Sequence, residues 1–108
     1  MKGTVICLAL LVGLSAIVAG NEPDLVAETP IISHITREAT DSHSITAIGY
    51  SKHLQALEIQ FHTGQIYRYL NVPVGVDQGL LHAESKGRYF AENIRGKYRY
   101  LRVRPRQQ

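Results

Sequence analysis

The spacing of apolar and polar residues in the middle of the chain predicts a small antiparallel sheet. Between residues 54 and 61, apolar and polar side chains alternate, and a period of two is typical of a half-buried β-strand. Similar signals predict strands at residues 45–50 and 65–71. Only a few residues separate each strand from the next, and Gly64 suits the second turn, so we predict an antiparallel three-stranded meander.

After the third strand the apolar pattern changes to a helical period. Pro73 cannot donate a hydrogen bond to a sheet, and it suits the first turn of a helix. Apolar residues at helical spacing then predict one helix near residues 74–84 and a second near residues 86–95. Residues 97–103 are predicted to form a fourth strand or an extended arm. The predicted class is therefore α+β, with the meander followed by two short helices and a C-terminal strand.

Residues 1–20 are predicted to be a secretory signal peptide that forms a helix. Lys2 is followed by an apolar run at residues 5–18, and the small residue Gly20 stands before Asn21, which is the layout of a cleaved leader. A transmembrane anchor is the alternative, but a spanning helix needs about 20 predominantly apolar residues. We therefore predict export across a bacterial inner membrane, with a periplasmic or secreted mature chain that has no stable membrane span.

Three further segments follow the predicted signal peptide, whose removal would also remove the only cysteine, Cys7. Residues 21–41 contain two prolines and five acidic residues, and they are predicted to be an acidic linker. We favour a solvated spacer, while packing of its apolar residues on the domain or against a partner stays open. The folded domain is predicted at residues 42–103 and a basic tail at residues 104–108.

Positive charge is concentrated at the C-terminal end of the chain. Residues 86–108 contain eight basic residues and one acidic residue, whereas residues 21–85 contain three basic and eight acidic residues. Basic residues with interleaved tyrosines suit nucleic acid, because cations neutralise phosphates and aromatic rings stack on bases. Lipid head groups or another acidic polymer would also fit. The alternatives are a role in solubility, attraction to the acidic start of the same chain, and a specific protein partner in the cell envelope.

Two Tyr-Arg-Tyr triplets, at residues 67–69 and 98–100, lie in predicted strands. Residues two apart in a strand share a face, so the tyrosines of each triplet lie together. They would form either an exposed stacking platform or part of the core, with only their hydroxyls near water. We favour the core, because burial of the opposite face would draw Arg68 inside. The candidate ligand-binding residues are Tyr67, Arg68, Tyr69, Lys86, Arg88, Arg95, Lys97, Tyr98, Arg99 and Tyr100.

No pattern in the sequence indicates catalysis or a cofactor. The five histidines have no helical pair spacing suited to a metal, the serines lack a nucleophile elbow, and no glycine-rich phosphate loop occurs. We therefore predict a non-enzymatic protein with no catalytic residues, no metal site and no cofactor. An unrecognised hydrolase would need a pocket that joins a carboxylate or a histidine to the tyrosines.

Short motifs follow one another in a fixed order between residues 42 and 103. They are Ser44-Ile45, Ile48-Gly49-Tyr50, Leu57-Glu58-Ile59-Gln60-Phe61, Gly64, Tyr67-Arg68-Tyr69, Val72-Pro73, Ala83-Glu84-Ser85-Lys86-Gly87-Arg88-Tyr89-Phe90, Ile94-Arg95 and Tyr98-Arg99-Tyr100. This order resembles the KTSC domain, a small domain similar to the C-terminal region of some lysyl-tRNA synthetases. The resemblance covers nearly the whole predicted domain.

The resemblance implies a small α+β module and, through the association with the synthetases, RNA binding; it implies no set of catalytic residues. Ala91 stands where the family pattern has an asparagine, with Asn93 two positions later. The predicted leader argues against a tRNA-binding role, because an exported copy would rarely meet tRNA, whereas nucleic acid outside the cell stays open as a ligand. The leading hypothesis is an exported binding module for nucleic acid or another anionic ligand. The alternative is an envelope accessory protein without affinity for nucleic acid.

Overall fold

The computed structural model describes residues 25–26 and 29–106. The predicted signal peptide, its cleavage site and the last two residues of the basic tail lie outside these residues. No helix in the described part of the chain has the length and apolar character that crossing a membrane requires.

The described residues form an antiparallel sheet of five strands and two helices. The strands lie in the sheet in their chain order, so the meander runs through the whole sheet, and both helices come between the last two strands. The predicted α+β class is confirmed, while the sheet has one strand more than predicted. The elements are β1 (Glu38–Ala39), β2 (Ile45–Ser51), β3 (Ala56–Phe61), β4 (Ile66–Tyr69), α1 (Val74–His82), α2 (Lys86–Asn93) and β5 (Tyr100–Val103).

The two helices form where the pattern predicted them, and each ends slightly earlier. Helix α1 begins directly after Pro73 and ends at His82. Helix α2 is capped by Ser85, whose hydroxyl accepts a hydrogen bond of 3.2 Å from the backbone N–H of Arg88, as serine commonly does at a helix start. Residues 97–99, predicted as strand, belong to the turn and short link before β5.

One face of the sheet packs against the helices and forms the hydrophobic core. Leu57 of β3, Leu80 of α1 and Ile94 after α2 are fully buried in one cluster, and burial of each such side chain stabilises the fold by about 1.5–3 kcal/mol. Tyr69 and Tyr100 belong to the same cluster, with 3% and 5% of their surface exposed. The prediction that the tyrosines fill the core is therefore confirmed for these two.

The segment predicted to be an acidic linker lies on the sheet instead of in solvent. Its first described residues run parallel to β5, where the N–H of Val26 donates to the carbonyl of Tyr100 and the N–H of Ile31 to that of Arg102, both at 2.9 Å. The chain then crosses to the other edge of the sheet, where β1 pairs with β2. We call residues 29–37 the strap. The solvated-spacer interpretation is wrong for the described residues of this segment.

The strap lies close against β2 because residue 49 is a glycine. A Cβ atom on Gly49 would lie 2.3 Å from the carbonyl oxygen of Thr36 and 3.0 Å from Cγ2 of Ile35, both closer than van der Waals contact allows. The missing side chain leaves room for Ile35, which is 9% exposed. The sheet is thus covered on both faces, by the helices on one and by the strap on the other.

Candidate functional site

The strap covers a buried cluster of ion pairs. Glu58 of β3 has no exposed side-chain surface, and it faces Arg68 of the neighbouring strand. Its Oε1 accepts a hydrogen bond of 2.6 Å from Nη1 of Arg37, and its Oε2 accepts one of 2.8 Å from Nε of Arg68. Arg68 also donates to the hydroxyl of Ser33 at 3.2 Å. The cluster joins the strap to the middle of the sheet, and it neutralises a carboxylate that would be costly to bury alone.

This cluster removes Arg68 from the predicted ligand-binding surface. Its side chain is only 15% exposed, and its guanidinium is already bonded to Glu58 and Ser33. The sequence predicts burial of one face of the sheet only, with Arg68 on the other face. The structure buries both faces, because a carboxylate directly opposite Arg68 balances its charge.

Five aromatic rings meet on the helix-covered face of the sheet. The ring centroid of Phe61 lies 5.5 Å from that of Tyr67 and 5.2 Å from that of Phe90, in edge-on contacts. The ring of Tyr67 lies 4.5 Å from that of Tyr100, and the ring of Tyr69 lies 5.7 Å from that of Phe90. Such tilted and edge-on contacts are favourable because ring edges are positive and ring faces negative. The rings therefore form a continuous aromatic wall.

This wall lines a pocket of about 650 Å³, which we call the aromatic pocket. Three exposed residues of the β3–β4 turn, His62, Thr63 and Gln65, supply polar groups to its lining. Arg95 supplies a cation, with its guanidinium carbon 5.2 Å from the centroid of the Phe90 ring, a distance typical of a cation–π contact. Apolar walls with a few polar groups are the usual composition of small-ligand sites.

A glycine in α2 lets the helix come close to the start of β2 beside this pocket. A Cβ atom on Gly87 would lie 2.9 Å from the hydroxyl oxygen of Ser44. A second and more polar pocket, of about 400 Å³, shares these two residues with the first. Its lining includes Asp41, Glu84 and Lys86, so its charge is mixed and it suits an anion less well.

The structure brings four of the predicted ligand-binding residues to the aromatic pocket. They are Tyr67, Tyr69, Arg95 and Tyr100. Tyr67 is half-buried, while Tyr69 and Tyr100 are buried. An exposed stacking platform made of all the tyrosines therefore does not form.

The other predicted residues lie outside the lining of the aromatic pocket. Arg88, Lys97 and Arg99 are exposed on the surface, and Tyr98 is half-buried. Lys86 lines the second pocket, where its ammonium group lies 3.4 Å from the carbonyl oxygen of Ala83. The predicted set thus separates into residues of the pocket and cations of the surrounding surface.

Sequence reasoning missed the two phenylalanines of the aromatic pocket. Phe61 ends the alternating pattern of β3, and Phe90 belongs to the helical pattern of α2. Their contact joins two elements that are separated by the whole of β4 and α1. A local pattern indicates that each ring faces the core, but it carries no information on where the two rings meet.

The aromatic pocket brings His62 together with Tyr67, Tyr69 and Tyr100, so it meets the condition stated above for an unrecognised hydrolase. His62 and Ser44 both line it, but within the described residues their side chains form no hydrogen bond with each other, and no carboxylate lines the pocket. Among residues 25–26 and 29–106, no three His, Cys, Asp or Glu side chains converge to hold a metal ion.

A buried carboxyl group on α1 belongs to the packing of that helix rather than to the pocket. Asp77 is 4% exposed, and its Oδ1 has no hydrogen-bond partner among the described residues. Burial raises the pKa of Asp77 above the usual value for aspartate. The pKa of Tyr50 is also raised, first by burial and then by the negative charge of Asp77. The hydroxyl of Tyr50 donates to the carbonyl of Val72 at 2.5 Å, so this corner joins β2 to the start of α1.

These features define a small α+β domain with an aromatic pocket and an exposed basic surface. The model of the KTSC domain family matches residues 41–98, and the chain belongs to this family. The resemblance found in the ordered motifs is therefore confirmed. The strap and β1 precede the matched residues. The residues that cover the sheet face opposite the helices therefore lie outside the matched region.

Relatives of known sequence and structure agree with this membership. The crystal structure of a KTSC domain protein from Yersinia pestis matches with a TM-score of 0.63 at 37% identity, over 65% of this chain and 99% of that protein. An uncharacterised protein of Stutzerimonas stutzeri (strain A1501) is 43% identical over 68 residues, which are 62% of this chain and 96% of that protein. The lysine–tRNA ligase of Nostoc sp. (strain PCC 7120 / SAG 25.82 / UTEX 2576) is 41% identical over 56 residues, which are 52% of this chain but only 10% of the ligase.

Proposed function

We propose that this chain is an exported, non-enzymatic binding module that engages single-stranded nucleic acid through the cations of its C-terminal part. The proposal places the phosphate contacts on the exposed side chains around and after α2. The nucleic acid would be held by charge first, as in most non-specific complexes of this kind.

The observation that carries the proposal is that these cations have no anionic partner among the described residues. Arg88, Arg95, Lys97 and Arg99 are exposed. Within the described residues, every ion pair involves Glu58, which lies beneath the strap. Among the described residues, therefore, no acidic side chain pairs with these cations, and this supports their availability to a polyanion.

The comparison with the ligases supports nucleic acid as the polyanion. A segment of the Nostoc lysine–tRNA ligase shares the KTSC-like sequence, and a ligase of that name acts on a tRNA. The chain spans about a tenth of that protein, so the likeness concerns a small part of the ligase and not the whole enzyme. A binding role without chemistry agrees with a pocket that no carboxylate lines and in which, among the described residues, the side chains of His62 and Ser44 form no hydrogen bond with each other.

Export is the part of the proposal that rests on residues 1–20. A charged start, an apolar run and a small residue before Asn21 are the features of a cleaved leader. We expect the protein recovered from the periplasm or the medium to begin at Asn21 when its N terminus is sequenced. Recovery of the exported protein with Met1 still present would overturn cleavage.

Charge reversal on the basic surface tests the binding proposal. Lys97→Glu is expected to weaken the affinity for a single-stranded oligonucleotide by roughly three- to tenfold at low salt, because one phosphate contact is replaced by repulsion. Combining it with Arg99→Glu should weaken binding further. Fluorescence anisotropy with a labelled oligonucleotide measures both changes.

Lys52→Glu is the matched control, because it makes the same charge change at an exposed position in the β2–β3 turn. It should weaken binding much less than Lys97→Glu does. Equal losses in the two variants would contradict a basic binding surface and indicate a response to net charge alone. Retention of a specific envelope protein in a crosslinking pull-down, unaffected by reversal at Lys97 and Arg99, together with no oligonucleotide binding, would favour the accessory-protein alternative.

A further inference from the structure

We propose that the aromatic pocket receives one unstacked base of the bound strand, so that the domain distinguishes single-stranded from double-stranded nucleic acid. This inference rests on the proposed function and adds to it a ligand group and a site. The surface cations would supply affinity for any polyanion, while the pocket would require a planar ring.

The size and walls of the pocket suit a nucleobase. Its volume of about 650 Å³ lies in the usual range for small-ligand sites, about 300–1,000 Å³. Phe61 and Tyr67 are half-buried, so part of each ring is accessible to solvent. Behind them, Tyr69, Phe90 and Tyr100 are buried. A flat ring that enters can therefore contact the accessible rings without disrupting the core.

The polar side chains of the lining match the edge of a base. Thr63 and Gln65 can each donate and accept hydrogen bonds, and the ring of His62 adds a further nitrogen. All three are exposed in the β3–β4 turn, and the Gln65 amide oxygen already accepts a hydrogen bond of 3.3 Å from the hydroxyl of Tyr67. Single-stranded bases are commonly recognised in this way, by stacking together with hydrogen bonds to an exposed edge.

Arg95 links the pocket to the basic surface and favours an anionic occupant. It lines the pocket, it is exposed, and within the described residues it forms no ion pair. Its guanidinium carbon lies 5.2 Å from the centroid of the Phe90 ring, so a phosphate bound to Arg95 would lie beside the aromatic wall. The positive charge beside the rings therefore fits a nucleotide better than a neutral aromatic ligand.

A base in a duplex cannot enter such a pocket without leaving its stack. Extrusion of a base from a duplex has a free-energy cost of a few kcal/mol, whereas a base in a flexible single strand is already accessible. The pocket would therefore weaken duplex binding relative to single-strand binding at equal phosphate number.

The test compares two oligonucleotides of about eight nucleotides that carry the same phosphates. One is oligothymidylate and the other is its abasic counterpart, which lacks the rings. The full mature chain is expected to bind the oligothymidylate at least about fivefold more tightly, because stacking of one base typically contributes that much or more. A short self-complementary hairpin with the same total number of phosphates should bind more weakly than the single strand.

Tyr67→Leu should remove the preference for the oligothymidylate, because leucine keeps apolar volume but cannot stack. Tyr67→Phe should keep the preference, since it retains the ring. Tyr98→Leu is the matched control, because Tyr98 is also half-buried and lies in the basic segment but does not line the pocket. Thermal unfolding of each variant shows whether it is folded at the temperature of the assay.

Each outcome decides between the two proposals. A preference that is lost in Tyr67→Leu and kept in Tyr67→Phe and Tyr98→Leu supports the pocket. Equal, salt-sensitive binding of both oligonucleotides by the unmodified chain overturns the pocket and leaves the proposed function standing. A preference that survives Tyr67→Leu also overturns the pocket. No binding of either oligonucleotide at about 50 mM salt, where such contacts are strong, overturns the proposed function and the pocket with it.

Discussion

Glu58→Ala is expected to lower the free energy of unfolding by about 3–5 kcal/mol, as is typical when one member of a buried ion pair is removed. The substitution removes the carboxylate that binds both Arg37 and Arg68, whose side chains are 9% and 15% exposed. Arg37 of the strap and Arg68 beneath it would then have no anionic partner among the described residues. Because small domains have total stabilities of about 5–15 kcal/mol, the urea midpoint should fall sharply.

Glu92→Ala provides the control for this substitution. Glu92 is exposed on α2, so its removal should change stability by less than about 0.5 kcal/mol. Simultaneous replacement of the cluster by Arg37→Met, Glu58→Leu and Arg68→Met should recover most of the stability, because apolar residues of similar volume commonly replace buried ion pairs without loss. A loss of less than about 1 kcal/mol in Glu58→Ala would contradict the buried cluster.

Gly49→Ala is expected to lower the free energy of unfolding by about 1–3 kcal/mol, the usual range for overpacking of a well-packed site. The added methyl group would lie 2.3 Å from the carbonyl oxygen of Thr36, which is backbone and cannot rotate away. Relief requires the strap to move off β2, and that movement would strain the contact between Arg37 and Glu58. Urea unfolding measures the loss, and faster amide hydrogen exchange in the strap would locate it.

Gly75→Ala makes the same chemical change where the structure leaves open space. No atom lies within 4 Å of a Cβ atom at Gly75 in α1, and alanine is a better helix former than glycine by up to about 1 kcal/mol. This variant should be as stable as the unmodified chain or more stable. If Gly49→Ala behaved in the same way, the strap would not lie against β2 as the structure has it.

The elements of the domain could be predicted from the sequence because their signals are local. Alternation of apolar residues in β3 and the turn at Gly64 lie within a few positions of each other, and Ser85 caps α2 three residues before its hydrogen-bond donor. Such signals depend on the period and on the residues at element ends. The class and the order of the elements followed from them.

The strap could not be predicted because its contacts are distant in the sequence. Ile31 pairs with Val103, and the two prolines and five acidic residues of residues 21–41 are typical of an unpacked linker. The pairing of Glu58 with Arg68 is easier to predict, because the two residues lie on adjacent strands joined by a short turn. The turn between β3 and β4 sets a register in which these two residues face each other, but the prediction that Arg68 would stay exposed took no account of Glu58.

The candidate site could be predicted only in part, because its shape depends on contacts between residues that are distant in the sequence. Its cations and tyrosines stand out in composition, and Arg95, Tyr67 and Tyr100 do line the pocket. The pocket itself forms only where a helix, a turn and the sheet meet, and Phe90 reaches it from α2. A one-dimensional pattern shows which residues are apolar or charged, whereas the shape of a pocket depends on long-range packing.

The most direct test of the central claim is a salt titration of the mature chain against single-stranded RNA and DNA. If the exposed cations bind phosphates, the logarithm of the affinity should fall linearly with the logarithm of the salt concentration, with a slope of about −0.7 for each phosphate engaged. Engagement of the four exposed cations Arg88, Arg95, Lys97 and Arg99 would give a slope of roughly −3. Absence of detectable binding at about 50 mM salt, for both RNA and DNA, would contradict the account.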